Sequence, residues 1–243
     1  MKCVLSKALL LILVLLSGCS RQQQPLRHIV ILVDTSASIE PESLNQCINQ
    51  IATLTSKIER GDTVSVVPIT GDADVQSVGR VLRFHKPTDR SAYDADLVRF
   101  SKYVQQALQE FRVRTVGSPT SKTDIFGSIR MASDEFATMP GKERALVIFS
   151  DFIEDDGEVD FKIDLRLKHL ESAAQYAASE ANIIPGMHDS TKVFLVPMRS
   201  NELIGLSRQR RGAIRLFWLK YFTNRGLEPV LMTDSASLPS SMH

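Results

Sequence analysis

The chain has 243 residues, with 29 Lys and Arg against 28 Asp and Glu, a formal charge of +1 and 43% hydrophobic residues. A balance this near neutral excludes bulk electrostatic attraction to nucleic acid, and no nucleic-acid partner is expected. With only three cysteines, two of them at positions 3 and 19, a disulfide-built scaffold is excluded and stability has to come from a packed core.

The first 18 residues read as a targeting signal. Lys2 and Lys7 precede an apolar run over 8–16, too short for a spanning helix of roughly 20 residues but the right size for a signal h-region. The run ends in Leu16-Ser17-Gly18-Cys19, which resembles the bacterial lipobox and implies cleavage before Cys19 and lipidation of its thiol. Loss of Lys2 and Lys7 turns the net charge slightly negative, and Cys47 is then the one thiol of the remaining domain. The tether over 19–27 is short and polar, reaching about 26 Å at roughly 3.3 Å per residue, so the domain is expected to sit at a membrane surface. Ser20 follows the cysteine. By the sorting rule of Gram-negative lipoproteins, that residue implies the periplasmic face of the outer membrane, if the source is Gram-negative. A bacterial cell-envelope location is expected in either case.

From residue 28 onward, strands and helices alternate. Aliphatic runs over 29–33, 64–69, 145–149, 192–198 and 229–232 read as strands, most of them continuously apolar as suits burial on both faces, while 81–85 alternates like a half-exposed edge strand, open to antiparallel pairing. Leu44, Cys47, Ile48, Ile51, Leu54 and Ile58 form a helical stripe opened by Pro41 and closed by Gly61. A second stripe runs over 97–111, a third over 125–136 before Pro140-Gly141, a fourth lies within 161–181, and a fifth spans 214–222 with Gly226 beyond it. This alternation predicts one α/β domain over 28–234, doubly wound around a mostly parallel sheet, and a loose tail over 235–243. Sites in such sheets form at the carboxyl ends of strands.

Three strand or helix junctions carry oxygen-bearing side chains. Asp34, Ser36 and Ser38 follow the first strand at alternate positions, which face one way in an extended segment. Thr123 and Asp124 open the third helix, and Ser150 and Asp151 end an aliphatic strand. Oxygen ligands without histidine or cysteine suit a hard divalent cation rather than zinc.

In order and spacing, Asp34-x-Ser36-x-Ser38, Thr123 and Asp151 resemble the metal-ion-dependent adhesion site of von Willebrand factor type A domains. The resemblance covers nearly all of 28–234. It implies that Ser36, Ser38 and Thr123 give hydroxyl oxygens to the metal, Mg²⁺ above Mn²⁺ or Ca²⁺, and that Asp34 and Asp151 act largely through bound water. It also implies a protein partner whose acidic residue completes the metal's shell, so no enzymatic activity is expected. Ala37 and Phe152 stand where glycine is frequent in that family. Phe152 could reshape its loop or present an aromatic ring to a partner, and Thr120 rivals Thr123 for the threonine role.

Plainer readings stand beside these. Asp34, Ser36 and Ser38 suit an Asx-turn and helix capping, and Thr123 and Asp124 suit an N-cap and first-turn acid. The acidic run over 154–160 reads as a solvated loop and 208–211 as a solvated helix start. Cys47 and Trp218 read as core, and His85, His169 and His188 show no ligand spacing. Two alternative functions remain open: a Mg²⁺-dependent phosphatase-like enzyme using Asp34, although no G-x-S-x-G or phosphate-loop motif is present, or an envelope scaffold with a vestigial metal site.

Overall fold

The structure, a computed structural model, describes residues 26–58, 62–71, 82–85, 90–116, 122–138, 143–180, 187 and 190–232. The signal segment, Cys19, Thr120, His188 and the tail over 235–243 lie outside them.

In chain order the elements are β1 (Arg27–Asp34), α1 (Pro41–Ser56), β2 (Thr63–Ile69), β3 (Leu82–His85), α2 (Arg90–Val116), α3 (Ile125–Ala137), β4 (Glu143–Ser150), a single 3₁₀ turn (Leu165–Leu167), α4 (Leu170–Ser179), β5 (Lys192–Pro197), α5 (Asn201–Gly205), α6 (Arg208–Thr223) and β6 (Pro229–Leu231). They build one sheet in the order β3-β2-β1-β4-β5-β6. All neighbours are parallel except β3, which pairs antiparallel with β2 at one edge. The fold is thus the expected doubly wound α/β domain, edge strand included. Its order reverses between β1 and β4, which fixes where a cleft must open.

Period-two alternation along each strand splits the core in two. Val30 and Leu32 of β1 join Leu146 and Ile148 of β4 under α3, α4 and α6. Ile29, Ile31 and Val33 join Val147 and Phe149 under α1 and α2. Each Leu, Ile or Phe so buried contributes about 1.5–3 kcal/mol against exposure. Pro41 starts α1 as expected, and that helix buries Leu44, Cys47, Ile48, Ile51 and Leu54. Cys47 is a buried free thiol whose pKa burial pushes up. Trp218 packs against Phe126, Phe161, Phe217 and Tyr221.

Two features went unread in the sequence. The short α5 begins at Ser200, whose Oγ accepts the Leu203 N–H at 2.9 Å. Helix α2 runs for 27 residues, well past its apolar stripe at both ends. Among the described helices none is long and apolar enough to cross a membrane.

Candidate metal centre

Asp34 is the last residue of β1 and is fully buried, because a strand covered on both faces draws its terminal side chain inward. Its Oδ1 accepts the Ser36 N–H at 2.9 Å, and its Oδ2 accepts the Ser150 hydroxyl at 2.8 Å. The Asx-turn is therefore present, and it leaves two hydroxyls displayed together: the Ser36 and Ser38 Oγ atoms lie 3.0 Å apart. Turn and site are one arrangement. The loop is held from both sides. Arg112 of α2 donates to the carbonyls of Ser36, Ala37 and Ile39, and the segment after β5 pairs with it through Glu40 N to Arg199 O at 3.0 Å and Asn201 N to Ser38 O at 3.1 Å.

Across the switch point, β4 ends in Ser150 and Asp151. Ser150 Oγ bonds Asp34 and also accepts the Phe152 N–H at 2.9 Å. Asp151 Oδ1 accepts the Ile153 N–H at 2.9 Å, while its Oδ2 is buried with no hydrogen-bond partner. Phe152 takes φ 65, the one non-glycine residue with positive φ among those described, which explains why glycine would be at ease there. The side chain turns inward, 7% exposed, towards Trp218, whose indole N–H donates to the Phe152 carbonyl at 2.9 Å. Phe152 thus shapes the loop, with its ring turned towards Trp218.

Thr123 reaches this end of the sheet through its backbone. It exchanges hydrogen bonds with Asp155 at 2.8 and 2.9 Å, and the following Asp124 N–H bonds Thr70 O, just past β2, at 3.2 Å. Its loop therefore hangs between the ends of the two strands' loops that flank β1. The cap of α3 is Asp124, whose Oδ1 accepts the Gly127 N–H at 2.6 Å, which leaves the Thr123 side chain unneeded for capping.

Electrostatics single out the two aspartates. Burial raises the Asp34 pKa, against the help of Ser36, Ser150 and Arg112. Burial first, and then the Asp34 charge, push Asp151 up to about 7, against the Ser200 hydroxyl and the Ile153 N–H, which favour the carboxylate. Two desolvated carboxylates that repel each other are stabilised by a cation between them, and the carboxylates and the Ser36, Ser38 and Ser150 hydroxyls are oxygen donors, as Mg²⁺ or Mn²⁺ prefers.

Two expectations change. The acidic run over 154–160 is half-buried or exposed from 155 onward, but Glu154 at its start is 0% exposed, and burial followed by the charges of Asp124 and Asp156 pushes its carboxyl well above the usual range. The helix start over 208–211 is partly structural, since Arg210 donates to the carbonyls of Phe161 and Asp164, both at 2.9 Å. His169 pairs its Nδ1 with the Gln209 side chain at 3.0 Å. Ser150 and Arg112 are the contributors that sequence reasoning left unassigned. Ser150 was visible beside Asp151 at a strand end, whereas nothing in the pattern of α2 marks Arg112.

Beside Asp151 lies a cavity of about 390 Å³ lined by Phe152, Leu203, Ile214 and Trp218, with Arg211 and Arg215 at its wall.

No family model matches the sequence, and no curated protein matches it. Solved structures similar to the chain include the conserved hypothetical protein BatB from Bacteroides thetaiotaomicron, 16% identical over 89% of this chain and 95% of that one, with a TM-score of 0.45. A von Willebrand factor type A structure from Catenulispora acidiphila is 13% identical over 89% of this chain and 41% of that one, with a TM-score of 0.42. The manganese-loaded TRAP protein of Plasmodium vivax is 11% identical over 90% of this chain and 72% of that one, with a TM-score of 0.41. The chain's own geometry is that of a doubly wound α/β domain with an oxygen-lined crest where its strand order reverses.

Proposed function

We propose that this protein is a lipid-anchored, von Willebrand factor type A-like binding module that holds a divalent cation, Mg²⁺ in the first place, at Asp34, Ser36, Ser38, Thr123 and Asp151. The observation that carries this reading is the buried Asp151 carboxylate, whose Oδ2 makes no close hydrogen bond, which has the Ser200 hydroxyl as its one side-chain donor, and which stands under the field of a second buried carboxylate. A carboxylate oxygen left in that state costs stability unless a cation or proton meets it. The Ser36 and Ser38 hydroxyls, 3.0 Å apart, supply neutral oxygens on the same crest. Five residues that act partly through water leave an octahedral ion with a position for an outside ligand, and an acidic side chain of a partner protein matches its charge.

Binding is favoured over catalysis by Asp34 itself. Both its oxygens are engaged, by Ser36 N–H and the Ser150 hydroxyl, and its side chain is fully buried, so it is poorly placed to attack a phosphoryl group. Anchoring through Cys19 would hold the crest near a bacterial envelope membrane.

The test is a pull-down from envelope extract in Mg²⁺. A partner retained in Mg²⁺, released by EDTA and not recovered by Asp34→Ala supports the reading. A partner retained equally in EDTA supports an envelope scaffold instead, and Mg²⁺-dependent phosphatase turnover lost in Asp34→Asn would establish an enzyme.

A further inference from the structure

The loop after β4 holds a second group of acids, apart from Asp34 and Asp151. Glu154 is 0% exposed. Its Oε2 accepts the N–H groups of Ile125 at 3.0 Å and Phe126 at 3.3 Å, the first two residues of α3, and so absorbs the positive end of that helix. Its Oε1 is buried without a hydrogen-bond partner. Asp124 and Asp156 lie beside Glu154, one carboxylate oxygen from each of the three lying within 4.8 Å of the others. Backbone groups lock the neighbours in place: Asp124 Oδ1 accepts from Gly127, and Asp156 Oδ1 accepts from Glu158 at 2.8 Å and Val159 at 2.7 Å. Lys122 stands beside the group but donates to the Asp156 carbonyl, at 3.3 Å. Three acids gathered together, one of them fully buried and carrying an oxygen that has no donor, call for a positive ion.

We propose that Asp124, Glu154 and Asp156 form a second cation site, for a hard divalent ion of the Ca²⁺ class. Ca²⁺ tolerates irregular shells with Ca–O distances of about 2.4 Å, which suits carboxylates already fixed by backbone hydrogen bonds, whereas Mg²⁺ asks for a near-ideal octahedron at about 2.1 Å. The ion ties the loop after β4 to the first turn of α3, across the Thr123–Asp155 backbone pair that positions Thr123. It does not depend on whether the crest holds a metal of its own.

The test is a calorimetric titration of the purified, EDTA-stripped protein with Ca²⁺. Asp34→Ala, which disables the crest, is expected to keep one Ca²⁺ binding event. Adding Asp156→Asn, which preserves the Oδ1 acceptor while removing charge at a half-buried position, should weaken that event at least tenfold, and Glu154→Gln should abolish it. If Glu154→Gln does not fold, Asp156→Asn decides alone. Absence of Ca²⁺ binding in Asp34→Ala, or unchanged affinity after Asp156→Asn, overturns the proposal.

Discussion

Replacing Asp151 by asparagine should stabilise the metal-free protein and destabilise it relative to wild type once metal is present. The folded protein holds the Asp151 carboxyl proton up to about pH 7, against an ordinary value of 3.8. A carboxyl whose pKa rises on folding contributes stability that is complete below about pH 4 and is lost as pH climbs to about 7. A rise of that size, at 1.36 kcal/mol per pH unit, sets an upper limit of about 4 kcal/mol on the charging penalty at pH 8. The substituted asparagine keeps an Oδ1 for the Ile153 N–H and carries no charge into the field of Asp34. The return is smaller than the limit because the new amide N–H₂ needs an acceptor where Oδ2 had no partner. In EDTA at pH 8 the variant should melt several degrees above wild type, at about 2–4 °C per kcal/mol for a chain of this size, and the gap should close near pH 4. Mg²⁺ at a thousandfold excess over Kd should reverse the order, since it stabilises wild type by about 4.1 kcal/mol, more than the limit on the variant's advantage, and the variant gains nothing at this site. Thermal melts followed by circular dichroism measure all four conditions. A variant less stable than wild type in EDTA at pH 8 would refute the repulsion argument.

Three further outcomes follow from the same geometry. Mg²⁺ affinity should rise up to about tenfold per pH unit below pH 7 and level off above it, because binding requires the Asp151 carboxylate; titration calorimetry in two buffers reads the released proton. Asp34→Ala should remove the Mg²⁺-induced rise in Tm while leaving the far-ultraviolet circular dichroism spectrum intact, since the lost bonds to Ser36 and Ser150 are offset by loss of a buried charge. Phe152→Gly should destabilise by about 1–3 kcal/mol in denaturant titration: relief of a positive φ gives back about 1–2 kcal/mol, less than the loss of a buried aromatic side chain costs.

Much of this fold is legible in the chain because burial dictates it. Strands covered on both faces must be mostly apolar, and the centres of β1, β4 and β5 are unbroken aliphatic or aromatic runs, while β2 is interrupted only by Ser65. The antiparallel edge strand β3 announced itself by alternation, and Pro41 marked the start of α1. The candidate site was legible for the same reason: oxygens at strand ends stand out against aliphatic runs. What stayed hidden depends on tertiary placement. Glu154 looks like any member of an acidic loop until the N-terminus of α3 is set above it and buries it. Arg112 lies 76 residues from Ser36 along the chain, and only packing of α2 against the first loop brings them together. The inward turn of Phe152 follows from its backbone φ, which composition does not encode.

The central claim, that the crest between β1 and β4 holds a divalent cation, is tested most directly by titrating EDTA-stripped protein with Mn²⁺ at pH 8 and counting bound ions by electron paramagnetic resonance. Wild type should bind one equivalent more than the Ser36→Ala, Ser38→Ala double variant, which loses the hydroxyl pair 3.0 Å apart while keeping both aspartates. Equal stoichiometry and affinity in the two proteins would contradict the account.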